Sequence, residues 1–413
     1  MSVYELITLL LVLAVAGGFL NYRFLKLPSA IGLTLVALLG SLALIVLDRF
    51  LPDLGLRETL AHVLHGVRFE ETVLHWMLGF LLFAGALHVE LGELLARWRS
   101  IASLATVGVL VSTFVVGVGL KFLTGLFGLE IPLVAGLVFG ALISPTDPVA
   151  VLAILRKTRV PREVESIVIG ESLFNDGVAV VLFLGLLEFA LHPAGGPGFV
   201  LWLFVKEALG GIALGILLGF VFFLLLRETD DYQLEVLMTI TLVMLVYTVA
   251  ERFHLSGPLG VVAAGLLIGN HGRKLAMSPR TVEHVDTFWE LVDGLLNIIL
   301  FLLLGLEVLI LERFSPSLLV LVVLSLPLVL LGRFISVGVS LKMARPFREI
   351  RMVRVGFLSW CGVKGGIAVA LALTLPANLQ EIFLPLTYAN VLFSVLVQGL
   401  TLGPLARRIY GAN

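Results

Sequence analysis

The chain has 413 residues, of which 59% are hydrophobic and only 14% charged, with a formal net charge of −1. A soluble domain carries about 25% charged residues, so these figures exclude a water-soluble fold for most of the chain, and the balanced charge argues against nucleic acid as a partner. The single cysteine, Cys361, excludes an intramolecular disulfide framework and any paired-cysteine metal site.

The N-terminal apolar run begins at once, without a basic leader segment, and no cleaved signal peptide is expected. Runs of about 20 apolar residues predict an all-α membrane protein with thirteen spans. The first six lie at approximately 3–20, 28–47, 75–95, 101–122, 131–155 and 165–190. The next three lie at 199–226, 234–252 and 257–271, and the last four at 286–310, 316–343, 353–375 and 383–406. The ninth is short and glycine-rich. The loop at 48–74 has room for an interfacial helix such as Arg57–His65 but not for a domain. The whole of 1–413 is read as one membrane domain with no soluble regulatory module. Basic residues follow the odd-numbered spans: nineteen, such as Arg156, Lys157, Arg159 and Arg162 after the fifth, against seven on the other side. The positive-inside rule then puts the N-terminus outside and the C-terminus in the cytoplasm, which suits a cell membrane.

An odd count of thirteen divides as six, a linker and six. Spans one to six (about 3–190) and eight to thirteen (about 234–406) then form inverted repeats around a linker helix at 199–226, a plan that places transport sites on interrupted helices in matching positions. The fifth span is interrupted at 144–148 by Ser144-Pro145-Thr146-Asp147-Pro148. Its counterpart, the twelfth, is interrupted at 361–366 by Cys361-Gly362-Val363-Lys364-Gly365-Gly366. Pro145 and Pro148 remove backbone donors and break the helix, freeing carbonyls. Gly362, Gly365 and Gly366 permit an extended crossing, and Lys364 brings a positive charge to the freed helix-end carbonyls.

The sixth span carries Glu171, Ser172, Asn175 and Asp176 in its first half. Ser172 lies one turn from Asp176 and Glu171 one turn from Asn175. Lone polar residues in a membrane helix are often glue between helices, but four together, two of them acidic, point to ion or proton handling. A sodium-sized cation wants several hard oxygens. The Asp176 carboxylate, the Ser172 hydroxyl and an oxygen of Thr146 supply them, with Asp147 nearby and Asn175 orienting its neighbours. Desolvation makes a carboxylate bind protons more readily, so proton and cation compete for the same oxygens. Arg333, inside the eleventh span, needs an acid, and Glu171, directed away from Ser172 and Asp176, is the expected structural partner. Asp293 and Asn297, one turn apart in the tenth span, are candidates to line a funnel. Gly211, Gly215 and Gly219 read as a close-packing ridge. His88 and Glu90 lie near the cytoplasmic end of the third span. No Walker A pattern is present, so a gradient supplies the energy. No cofactor is expected.

The stretches Gly170–Phe183 (GESLFNDGVAVVLF), Ser144–Val151 (SPTDPVAV) and Trp360–Ala368 (WCGVKGGIA), together with Arg333, resemble the sodium/proton exchanger family of prokaryotic NhaP and animal NHE proteins, the monovalent cation/proton antiporter-1 family. The resemblance covers essentially the whole membrane domain. It implies a thirteen-helix inverted-repeat fold, a mobile core bundle beside a dimerisation domain, and electroneutral exchange of one sodium for one proton by an elevator-like motion in a homodimer. It further implies that Asp176 is the ion and proton carrier, that Ser172 and Thr146 are ligands, that Asp147 and Asn175 shape the site, and that Glu171 pairs with Arg333. The Asn175-Asp176 pair is the form associated with electroneutral exchange. One departure stands out. Many NhaP-like members carry an acidic residue after a Leu-Phe pair in the third span, where this chain has Ala84. Lithium is an expected second substrate. A potassium/proton or sodium-potassium/proton exchanger shares every motif and is the alternative reading. A channel would need no obligatory coupling to protons. An intramembrane aspartyl protease would need a Gly-x-Gly-Asp loop, which is absent, so no enzyme activity is expected.

Overall fold

The computed structural model describes residues 3–50, 69–158, 160–191, 196–309, 315–344 and 352–411. Every regular element among them is helical. In chain order these are α1 (Val3–Leu20), α2 (Ser29–Phe50), α3 (Phe69–Leu87), α4 (Leu91–Ala96), α5 (Trp98–Leu126), α6 (Leu133–Leu142), α7 (Pro148–Leu155) and α8 (Arg162–Leu191). They continue with α9 (Gly196–Arg227), α10 (Tyr232–Arg252), α11 (Gly257–Leu267), α12 (Pro279–Leu306), α13 (Pro316–Ala344), α14 (Met352–Trp360), α15 (Gly366–Leu373) and α16 (Ala377–Tyr410).

Among the described residues, 10 helices are long and apolar enough to cross a membrane. The other three stretches expected to span, 131–155, 257–271 and 353–375, are helical too, but in short or broken pieces: α6 with α7, α11 with a following π-turn at Ile268–Gly272, and α14 with α15. The expected third span, 75–95, is displaced. The helix begins at Phe69, and its chain path breaks at His88, after which Glu90 precedes the separate short helix α4. Glu70 and Glu71 depress the local hydropathy and hide this start, yet acids in a first turn face the positive end of the helix dipole and favour it. The suggested helix Arg57–His65 lies outside the described residues.

Helix starts follow ordinary capping chemistry. Asp231, Ser256 and Ser278 each accept a hydrogen bond from a first-turn amide of α10, α11 and α12, and proline follows near the start of the last two. Close approaches follow small residues. Gly211 and Gly215 of α9 press on the backbone of Ser256 and Gly260, and a Cβ on Gly219 would stand 3.2 Å from the Ala264 Cα, so α9 and α11 pack nearly backbone to backbone. Two large hydrophobic cores and a small third one result. One gathers α5 to α8 and α13 to α16 with α2, the start of α3 and the end of α12, the other gathers the rest of α3, α9 to α11 and the start of α12, and the third joins Ala14, Ala37 and Leu302. Helix α8 borders the two large ones, through Val178 and Leu173 respectively. Helix α12 is tied to α2, where the Thr34 and Ser41 hydroxyls donate to the Phe301 and Gly305 carbonyls at 3.3 and 3.2 Å.

A candidate cation and proton site at the crossing of two broken helices

The breaks at residues 143–147 and 361–365 cross each other in the first core. The Asp147 amide donates to the Val363 carbonyl at 2.8 Å, so the two extended segments hold one another through backbone. Each break leaves helix ends with unpaired backbone groups, and two charges, one buried and one half-buried, answer them. Lys364, 4% exposed, donates from Nζ to the Ser144 carbonyl at 3.1 Å, beyond the carboxyl end of α6. Asp147 caps the amino end of α7, accepting the Val149 amide at 2.8 Å. It also lies against the start of α15, since a Cβ on Gly365 would stand 2.7 Å from the Asp147 Cβ. A cation at carboxyl ends and an anion at amino ends both oppose the helix dipoles.

Helix α8 passes this crossing with its polar turn inward. Thr146 and Ser172 share a hydroxyl–hydroxyl hydrogen bond of 3.1 Å, and Asn175 Nδ2 donates to the Thr146 hydroxyl at 2.8 Å. Asp176 is 5% exposed, with the Thr146 backbone amide beside its carboxylate. Among the described residues, Asp176 Oδ1 and Asn175 Oδ1 are buried acceptors with no hydrogen-bond donor. Buried oxygens are ordinarily satisfied. Two orphan oxygens beside two hydroxyls make an all-oxygen set of the kind a hard cation prefers. The structure thus brings Asp176, Asn175, Ser172, Thr146 and Asp147 to one place.

Glu171 faces elsewhere. Its Oε1 accepts a hydrogen bond from Arg333 Nη1 of α13, and both side chains are buried. Gly362 makes room for the guanidinium, because a Cβ there would meet Arg333 Nε at 2.5 Å. Pro145 and Pro148 flank Asp147 on the cavity side, while Gly366 lies against Leu300 of α12.

Asp176, Ser172, Thr146 and Asp147 line a cavity of about 620 Å³. Its walls also include Glu90 and Glu93 at α4, Arg156 after α7, and Arg162 and Glu165 in the first turn of α8. Asp293 and Asn297 of α12 line the same cavity, as does His88. Ser394 and Gln398 carry no local sequence signal, and Ser144, already part of the interruption, gains a structural role. The Ser394 hydroxyl, at a π-turn in α16, accepts the Lys364 amide at 2.9 Å and donates to the Lys364 carbonyl at 3.2 Å. Gln398 donates to the Trp360 carbonyl at 3.3 Å, so that one turn of α16 braces the break from both sides. Ser144 donates to the Gly140 carbonyl at 2.7 Å and helps finish α6. A π-turn often marks a functional segment, but only the fold shows what Ser394 and Gln398 touch.

Residues 7–408 match the family model described as sodium/hydrogen exchanger, transmembrane. The chain is 44% identical to the Na(+)/H(+) antiporter NhaP of Pseudomonas aeruginosa over 421 aligned positions, covering 99% of this chain and 97% of that protein. It is 34% identical to the Na(+)/H(+) antiporter NhaH of Halobacillus dabanensis, covering 98% and 97% of the two chains. Its fold is similar to that of the sodium proton antiporter MjNhaP1 of Methanocaldococcus jannaschii, with a TM-score of 0.77 at 19% identity and full coverage of both chains. With matches of this extent over its apolar helices, the chain is an integral membrane protein that belongs to the sodium/hydrogen exchanger family.

Proposed function

We propose that this protein is a secondary antiporter exchanging sodium for protons, with Asp176 binding either ion. The observation that carries the reading is the pair of orphan buried oxygens, Asp176 Oδ1 and its neighbour Asn175 Oδ1, where Asp176 borders a cavity that other carboxylates also line. A cation bound there is held by Asp176, Ser172 and Thr146, with Asp147 close by, and its charge balances the carboxylate. A proton on Asp176 neutralises the same charge. Either loaded form is cheaper to move through a dry region than the bare carboxylate, and that difference couples the two fluxes. Lys364 and Arg333 stay engaged with Ser144 and Glu171 and hold the scaffold.

In this reading the core bundle alternates access, the halves at about 3–190 and 234–406 are inverted repeats, the helix near 199–226 links them, and the protein works as a homodimer in the cell membrane. The N-terminus lies outside and the C-terminus inside, so the cavity, whose lining includes Arg156 and Arg162 of the predicted cytoplasmic side, opens to the cytoplasm. The test is transport in proteoliposomes with an internal pH dye, adding sodium, lithium and potassium in turn. Proton movement driven by sodium and lithium supports the reading. A response to potassium as large as that to sodium replaces it with the broader exchanger, and no response to any of the three overturns it.

A further inference from the structure

The cavity has two unlike walls. Helix α3 offers Ala84 and Gly85, without charge, while α12 offers Asp293 and Asn297. Asn297 is buried, and its Nδ2 donates both to the Asp293 carbonyl at 2.9 Å and to Asp293 Oδ1 at 3.0 Å. That double contact fixes a carboxylate on the cavity wall. Several other acids are engaged: Glu93 accepts from the Ser166 hydroxyl, Glu165 lies 4.0 Å from Arg156 Nε, and Asp286 is ion-paired with Arg273. Glu90 and Glu290 also line the cavity, but among the described residues no side chain like Asn297 orients them. Asp293 makes no ion pair within 4 Å among the described residues, with His88 and Arg156 only at longer range. It is also near enough to Asp147 for their charges to repel. A carboxylate fixed on the wall of a cavity that Asp147 and Asp176 also line creates a local preference for a cation.

We propose that Asp293, oriented by Asn297, is a positioning residue that concentrates the cation on the open side of the cavity and passes it to Asp176. It acts on one membrane face only, because α12 is anchored to α2 through Phe301 and Gly305 and stays on the wall while the crossing changes sides. This rests on the exchange reading above and deepens it.

The test measures sodium-dependent proton flux in oriented proteoliposomes, varying sodium on one face at a time. Asp293→Asn raises the apparent sodium KM on the cavity face about tenfold, leaves it unchanged on the opposite face, and leaves the rate at saturating sodium unchanged. Asp293→Glu restores most of the affinity. Asn297→Ala shifts the same KM in the same direction by less, which provides a second variant should the first be poorly recovered. An equal KM rise on both faces, a lower maximal rate with KM unchanged, or no change overturns the assignment. A wild type that moves no protons in response to sodium instead overturns the exchange reading itself.

Discussion

Glu171 and Asp176 lie five residues apart on one helix, both buried and both acidic, yet their surroundings differ. Glu171 accepts an ionic hydrogen bond from Arg333, whereas Asp176 Oδ1 has no donor. Arg333 cannot release its proton, so the charge on Glu171 is matched permanently. In the proposed exchange the charge on Asp176 is left for the transported ion. Burial alone therefore does not separate the two acids; the presence or absence of a fixed partner does. Lys364 sharpens the contrast, because it lies in the same polar core yet spends a donor on the Ser144 carbonyl and makes no salt bridge to Asp176.

The contrast breaks most completely when the unmatched charge is removed. Asp176→Asn keeps size and hydrogen bonding but deletes the titratable group, so sodium-dependent proton flux is expected to fall at least about 100-fold. The protein should remain folded, since a neutral amide costs less in a membrane than a carboxylate. Flux assays paired with thermal unfolding in detergent check both statements. Appreciable exchange by the variant removes Asp176 from the centre of the account.

Removing the matched charge should do the reverse. Glu171→Ala strands Arg333 in a low-dielectric setting, at a cost of about 3–5 kcal/mol. Changing Glu171 and Arg333 together to apolar residues should recover part of that loss. A single variant as heat-stable as the wild type but unable to transport would move the pair from scaffold to mechanism.

Asn175→Ala is expected to act more gently. It deletes the hydrogen bond to Thr146 and one orphan oxygen, a loss of about 1 kcal/mol. The sodium KM should rise roughly fivefold, while the unfolding midpoint moves little. A large loss of stability without a change in KM would make Asn175 a brace for the break and nothing more. The smallest expected effect is none. If one sodium replaces one proton, exchange is indifferent to voltage, whereas one net charge would gain about 2.3 kcal/mol per 100 mV. An imposed potassium–valinomycin potential that drives sodium accumulation would contradict this.

Much of this arrangement is legible in the sequence because a membrane makes polar residues conspicuous. Glu171 to Asp176 interrupt an otherwise apolar run, two prolines bracket Asp147, and glycines surround Lys364. The glycine series at 211, 215 and 219 is where α9 meets α11 backbone to backbone. The start of α3 is not legible, because Glu70 and Glu71 mimic a loop while serving as first-turn acids. The bracing by Ser394 and Gln398 escapes notice for a different reason. A serine and a glutamine in an apolar helix are unremarkable until the fold brings Lys364 and Trp360, more than two dozen residues away in the chain, against them. Asp293 and Asn297 stand out in the sequence by their one-turn spacing, but the wall they occupy is set by how α12 docks on α2, which local spacing does not contain.

The central claim is that sodium and proton compete for Asp176. The most direct measurement is the initial rate of exchange by the wild type across a sodium series at several fixed pH values, with both ions varied on the same face. A proton that occupies the carboxylate excludes sodium, so acidification should raise the apparent sodium KM about tenfold per pH unit on the acid side of the site's titration, with the rate at saturating sodium much less affected. On the alkaline side the KM should level off, and scarcity of protons for the return step should then lower the rate, giving a bell-shaped profile. A sodium KM that does not move with pH would contradict the account.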